Sequence, residues 1–258
     1  TSLHSDWIKE IVYGDEDYTL QAHRGSYKSS ALSVAIALIM IIFPKRNIIF
    51  LRKTETDVAE MIGMVSKALR SDIMIALAGI LHDGVDLKII SENQEQLTTN
   101  LWTSPSGAQQ LRGKGIKSSI TGAHSFYVIT DDICTLEDRI SRAERDRVKL
   151  QYNELQNIRN RGGRIINIGT PWHKEDVFTL MPNIVQYDCY HTNLITPAKL
   201  QELRASMTPS LFAANYELKH IANEDALFTT APQFFDDEQL LRDGISHVDA
   251  AYSGRDIA

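Results

Sequence analysis

Six residues, Arg24, Gly25, Ser26, Tyr27, Lys28 and Ser29, lie between an apolar-leaning segment at Tyr18–Ala22 and a long apolar run from Ala31 to Phe43. A lysine followed by a hydroxyl, placed where a strand gives way to a helix, is the layout of a phosphate-binding loop. Backbone N–H groups wrap a polyphosphate, the lysine reaches its outer phosphates and the hydroxyl holds Mg²⁺. The helix start adds the positive end of its dipole at the same spot. The usual spacing has Gly where this chain has Ala22 and Tyr27, and Tyr27 adopts φ > 0 less cheaply than Gly. Taken alone, the six residues also suit a surface turn.

A nucleotide site needs carboxylates as well. Mg²⁺ takes one or two of them and keeps water ligands, and hydrolysis needs a group to orient or deprotonate the attacking water. The run Phe126-Tyr-Val-Ile-Thr-Asp131-Asp132 offers both at the end of an apolar strand. Asp131 is expected in the Mg²⁺ shell. Asp132 stands where such ATPases usually carry Glu and, one methylene shorter, is expected to act through an ordered water, or else the pair divides the two roles differently. Ile168-Gly169-Thr170-Pro171 ends another apolar strand, where Thr170 can touch the γ-phosphate side and relay its loss. In isolation each motif also reads as an ordinary turn.

These groups must be positioned by alternating strands and helices. Strands are expected at 18–22, 48–51, 87–90, 126–130, 164–168 and 184–190, and helices at 29–42, 56–70, 137–160, 198–206 and 210–218. Such alternation predicts a mostly parallel α/β sheet covered on both faces. Arg112-Gly-Lys-Gly-Ile-Lys reads as a flexible cationic loop. Arg139, Arg142, Arg145, Arg147 and Lys149 stud one helix, interleaved with acids as on a solvated face, and Arg159, Arg161 and Arg164 follow. Tyr13, Tyr18 and Trp7 are all candidates to stack on a base.

The 258 residues, 43% hydrophobic and 23% charged, suit a large globular α/β unit. A net charge of −6 excludes a uniformly basic nucleic-acid coat but allows a local basic patch. Cys134 and Cys189, far apart, suggest buried thiols and no disulfide framework. No signal-peptide pattern is visible, and the apolar run 31–43 falls short of the ~20 residues that span a bilayer. From Ala222 to Gly244 apolar periodicity fades and the segment reads as a linker; Ile245 opens a fresh strand-like stretch.

The ordered set of Lys-Ser, Asp-Asp and Gly-Thr-Pro-Trp, each at a strand end, resembles the large terminase subunit of tailed bacteriophages, the ATPase–nuclease of DNA packaging. Arg24 resembles that family's phosphate-loop arginine, Leu111-Arg-Gly its Arg-Gly element, and Leu211-Phe-Ala-Ala-Asn-Tyr its aromatic helix. His247-Val-Asp249 resembles the opening strand of its nuclease, where the first Asp binds catalytic metal. The resemblance implies a RecA-like P-loop ATPase over residues 1–221, a linker at 222–244, and at 245–258 the start of a truncated ribonuclease-H-like domain, active only in a longer chain with Mg²⁺ or Mn²⁺. It implies ATP and Mg²⁺ as cofactors, and double-stranded DNA, the capsid portal protein, the small terminase subunit and copies of itself in a ring as partners. The expected location is the host cytoplasm and, transiently, the procapsid portal, with no membrane role. In such a ring Arg112 is the candidate finger for a neighbour's γ-phosphate, or else a DNA phosphate contact. A helicase-type ATPase and a non-hydrolysing nucleotide-binding module are the rival readings.

Overall fold

A computed structural model describes residues 1–104, 108–118 and 122–219, which belong to one compact unit. The expected linker and nuclease stub, with Asp249, lie outside the described residues. In chain order the elements are α1 (Ser2–Tyr13), β1 (Tyr18–Ala22), α2 (Lys28–Ile42), β2 (Ile48–Arg52), α3 (Glu55–Leu69), α4 (Asp72–Leu81), β3 (Ile89–Glu92), β4 (Gln96–Thr99) and β5 (Leu111–Gly115). They continue with β6 (Ser125–Asp131), α5 (Leu136–Ile140), α6 (Arg142–Ile158), β7 (Arg159–Gly169), β8 (Ile184–Tyr187), α7 (Cys189–Thr192), α8 (Pro197–Ala205) and α9 (Pro209–Phe212). A π-helical turn, Ala213–Glu217, follows.

The eight strands form one sheet in the order β3-β4-β5-β2-β6-β7-β1-β8. β5, β2, β6, β7, β1 and β8 run parallel, and β3 and β4 add an antiparallel end. Strand alternation divides the core in two. Ile48, Phe50, Tyr127, Ile129, Ile166 and Ile168 face the layer containing α1–α4. Ile49, Leu51, Val128 and Ile165 face α6 and the short turn Val177–Leu180. α2 is apolar around its circumference because it is the inner helix of the first layer: Leu32, Ala35, Ile36, Ile39 and Met40 are all fully buried. Cys134 and Cys189 are buried and unpaired.

Three expectations are corrected. The stretch from Arg112 to Gly115 belongs to a strand: β5 pairs with β2 from Ile48↔Leu111 to Arg52↔Gly115. Its glycines answer packing, since a Cβ at Gly113 would sit 2.2 Å from Val58 Cγ1 of α3. The single helix at 137–160 is two, because Ser141 ends α5 in an extended conformation and its hydroxyl accepts from the Glu144 N–H to start α6; α6 itself ends at Ile158, and Arg159 opens β7. β8 stops at Tyr187, where Asp188 caps α7 by accepting from the N–H groups of Tyr190 and His191. Sequence periodicity did not reveal α1, α4 or β4.

Candidate nucleotide site

Because the central strands are parallel, Ala22, Arg52, Asp131 and Gly169 all reach the same edge of the sheet. Ligands in open α/β sheets bind outside such carboxyl ends. The loop between β1 and α2 enters at this edge. Gly25 has φ 81°, and Tyr27, the residue before α2, has φ 60°. The left-handed conformation for which Gly is the usual residue is therefore present, carried by a tyrosine whose ring is exposed. α3, α4, α6 and α8 each receive a side-chain N-cap, from Thr54, Ser71, Ser141 and Thr196. α2 has none. The first N–H groups of a buried 15-residue helix thus lack a side-chain acceptor, which suits an anion.

The loop is braced on both sides. His4 Nε2 of α1 lies 2.8 Å from the Ser26 carbonyl oxygen. His23 is buried, with Nε2 2.6 Å from Thr192 Oγ1 and Nδ1 2.9 Å from the Arg24 carbonyl oxygen. Burial pushes its imidazole below the ordinary histidine range, and nearby Lys28 adds to this. The Arg24 N–H donates to the Asn215 carbonyl oxygen (2.8 Å) in the π-helical turn, while the Arg24 side chain is exposed.

Lys28 is buried, and its Nζ lies 3.3 Å from Asp132 Oδ2. Asp132 takes φ 47°, held by its N–H donating to the Ile168 carbonyl oxygen at 2.9 Å. Gly169 leaves room for it: a Cβ there would lie 3.3 Å from Asp132 Oδ1. Asp131 is fully buried, and its carboxyl is pushed up to about 6, first by burial and then by the charge of Asp132. Arg52, Lys28 and a hydrogen bond from Ser29 pull the other way without cancelling the shift. Asp131 Oδ2 accepts from Arg52 Nε (3.0 Å) and pairs with Nη2 (2.9 Å), while Oδ1 is buried without a hydrogen-bond partner. The Thr170 hydroxyl donates to the Ala22 carbonyl oxygen at 3.0 Å, tying the end of β7 to the mouth of the loop.

Lys28, Ser29, Asp131, Asp132 and Thr170 therefore meet at one edge. Arg112 does not join them. It is exposed on β5 opposite Ile49, three residues before the strand end that faces the site. Among the stacking candidates, Trp7 and Tyr18 are buried, and Tyr13 packs its ring 6.5 Å from Phe43 at the far end of α2. The exposed ring at the loop is Tyr27, edge-on to His4.

Sequence reasoning missed Arg52 and the cluster next to it. Lys53 Nζ pairs with Asp138 (2.8 Å) and Glu144 (2.9 Å), and Lys117 Nζ also pairs with Glu144 (2.7 Å). These ion pairs pin α5 and α6, which follow the acidic pair, to the end of β2. The available signal was a basic pair, Arg52-Lys53, closing an apolar strand. Among the described residues no group of three or more His, Cys, Asp or Glu gathers as a metal cluster, and no helix is long and apolar enough to cross a membrane.

No protein-family model matches the sequence, and no curated protein matches it. Solved structures do match. The large terminase ATPase domain of Thermus phage P74-26 is 13% identical with a TM-score of 0.56, covering 83% of this chain and 93% of that one. The large terminase of the thermophilic bacteriophage D6E in complex with ADP is 10% identical (TM-score 0.53; 81% and 52% covered). The bacteriophage HK97 large terminase is 14% identical (TM-score 0.52; 84% and 50% covered). The chain thus spans about half the length of the D6E and HK97 proteins and nearly all of the P74-26 domain. At such identities the likeness is one of fold, and the RecA-like fold of this chain is that of the ATPase domains of bacteriophage large terminases.

Proposed function

We propose that this chain hydrolyses ATP and that hydrolysis drives double-stranded DNA into a viral capsid. The observation that carries the reading is the meeting of Lys28 and Ser29, at an uncapped helix start, with Asp131 and Asp132 on the next-but-one strand. The open N–H groups of α2, the Lys28 ammonium and the exposed Arg24 receive the phosphates. When Lys28 turns to them it releases Asp132, whose carboxylate then orients or deprotonates the attacking water.

The residues fit a divalent ion. Asp131 Oδ1 is a buried oxygen with no partner, and the Ser29 hydroxyl stands beside the same carboxylate. Ser29 and Asp131 would hold Mg²⁺, which supplies charge neutralisation on the phosphates. Thr170, bonded to the last carbonyl of β1, senses the outer phosphate and passes its loss to β7.

The fold and the order of motifs along the chain support the packaging role. The D6E protein of the same fold has been crystallised with ADP, which supports nucleotide as the ligand. In a ring of copies Arg112, exposed on β5 and not joined to its own site, is offered to a neighbour's. The capsid portal, the small terminase subunit and DNA complete the assembly. Residues 222–244 serve as a linker, and in a longer chain Asp249 serves a metal-dependent nuclease.

Replacing Lys28 by Ala tests the reading. Electrostatic contacts to developing charge are worth a hundredfold or more, so Lys28→Ala should lose ATP turnover by at least about that factor. Near-normal turnover in a folded variant removes the assignment.

A further inference from the structure

Arg52 ends β2 beside the acidic strand, with Leu51 paired to Thr130 of β6. Its guanidinium is nearly buried, with 11% of the side chain exposed. It binds three elements at once. Nε and Nη2 hold Asp131 Oδ2 at 3.0 and 2.9 Å. Nη2 also lies 3.4 Å from Ser29 Oγ at the start of α2. Nη1 donates to the Asp57 carbonyl oxygen at 3.1 Å and pairs with Glu60 Oε2 at 3.3 Å, both on α3. Ser29 Oγ and Asp131 are the two groups assigned above to the divalent ion, so a cation of the protein's own already serves them.

We propose that Arg52 is the resting counter-ion of the metal position and competes with the divalent ion for it; this rests on the reading of Ser29 and Asp131 as metal-binding groups. A guanidinium on Asp131 Oδ2 and a divalent cation on the free Oδ1 would stand on one carboxylate and share the Ser29 hydroxyl, so they repel strongly in a site this dry. When the metal arrives, Arg52 gives up Ser29 Oγ and loosens from Asp131. It does not leave the site, because Asp57 and Glu60 retain it. The planar five-donor fork allows this, since one edge can stay on α3 while the other is vacated. Arg52 is thus a positioning residue. It keeps the Asp131 carboxylate oriented while metal is absent, and its displacement carries the occupancy of the site to α3.

Mn²⁺ binding to the nucleotide-free 258-residue chain, followed by loss of the free-ion electron paramagnetic resonance signal, separates the possibilities. Arg52→Gln removes the competing charge and should tighten Mn²⁺ binding by at least about tenfold, a lower bound set by charges a few Å apart screened nearly as in water. Unchanged or weaker binding by the folded variant overturns the proposal. Arg52→Lys keeps the charge and should stay close to the original affinity; a gain as large as that of the Gln variant also overturns it. Glu60 is mostly exposed, so Glu60→Gln should fold even if Arg52→Gln does not. By weakening the place to which Arg52 retreats, it should weaken Mn²⁺ binding several-fold, and an unchanged affinity counts against the proposal. Asp131→Asn tests the premise separately. If it binds Mn²⁺ like the parent chain, the metal reading itself fails; if it loses Mn²⁺ while the Arg52 and Glu60 variants behave like the parent, only the role of Arg52 fails.

Discussion

Between Arg139 and Arg164 the chain carries seven arginines, while β2 ends in one. The dense stretch looks like a surface for an anionic partner, yet much of it is spent inside the fold. Arg139 holds the Ser210 hydroxyl at 2.7 Å. Arg145 is buried and donates to the Asp138 carbonyl oxygen at 2.8 Å. Arg159 pairs with Asp17 at 2.8 Å. Arg164, also buried, binds Glu10 Oε1, the carbonyl oxygens of Glu10 and Ile11, and the carbonyl of Glu16. Arg142, Arg147 and Arg161 are exposed. Arg52 is isolated in sequence and stands against both Asp131 and Ser29. Local density of charge therefore says little about its use. What decides is which carboxylates and carbonyls the parallel strands carry to the same edge.

The comparison breaks if the two regions respond alike to substitution. The largest effect belongs to the edge. Asp132→Asn should lose ATP turnover by ~10²–10⁴-fold, the range for a positioned general base, and keep Mg²⁺-dependent nucleotide binding. Asp131→Asn should lose that binding instead. Calorimetric titration with and without Mg²⁺ reads the difference, and two variants that bind and hydrolyse normally would reduce the acidic pair to a turn.

Arg164→Ala comes next, with its effect confined to stability. It removes the buried guanidinium from the carbonyl oxygens of Ile11 and Glu16, while Glu10 is exposed and its carbonyl keeps the Gly14 N–H, so the cost is about 2 kcal/mol. Urea denaturation should show that loss, with turnover per folded molecule unchanged. A drop in nucleotide affinity at full stability would make the arginine-rich stretch part of the site.

A pH series sharpens the account of the edge. Asp131 titrates at about 6 in the fold, above its ordinary value, because burial and then Asp132 disfavour its charge. Its ionised form therefore costs stability above about pH 6, and that cost is relieved as pH falls from about 6 toward about 4. Metal needs the ionised form. Mg²⁺-dependent nucleotide affinity should fall by about tenfold per pH unit below about 6, and in Asp132→Asn the fall should begin at lower pH. A flat profile between pH 7 and 5 argues that Asp131 is already fully ionised.

The smallest effect is expected at Arg142, whose exposed pairing with Asp146 spans 3.8 Å. Arg142→Ala should change stability by less than about 0.5 kcal/mol. A shift above 1 kcal/mol would mean that this face is packed against something.

The sequence by itself determined the elements that hold the chemistry. A lysine and a hydroxyl between an apolar strand and an apolar helix need only local order, and Tyr18–Ala22 and Lys28–Ile42 form as that order predicts. Asp131 and Asp132 at the end of a strand are legible for the same reason. Tertiary structure decided what those groups meet. Arg112-Gly-Lys-Gly reads as a loop until α3 packs on it, because glycine composition does not distinguish freedom from the need to let Val58 approach. α4 escapes notice because only Met74 and Ala78 are buried, and two positions set no period. Arg52 acquires its role solely from strand order: β2 lies beside β6, with α2 and α3 above it. The partners of Arg52 at 29, 57, 60 and 131 come from three separate elements, and no local pattern in the sequence encodes its contacts with Ser29 and Asp131, 23 and 79 residues away.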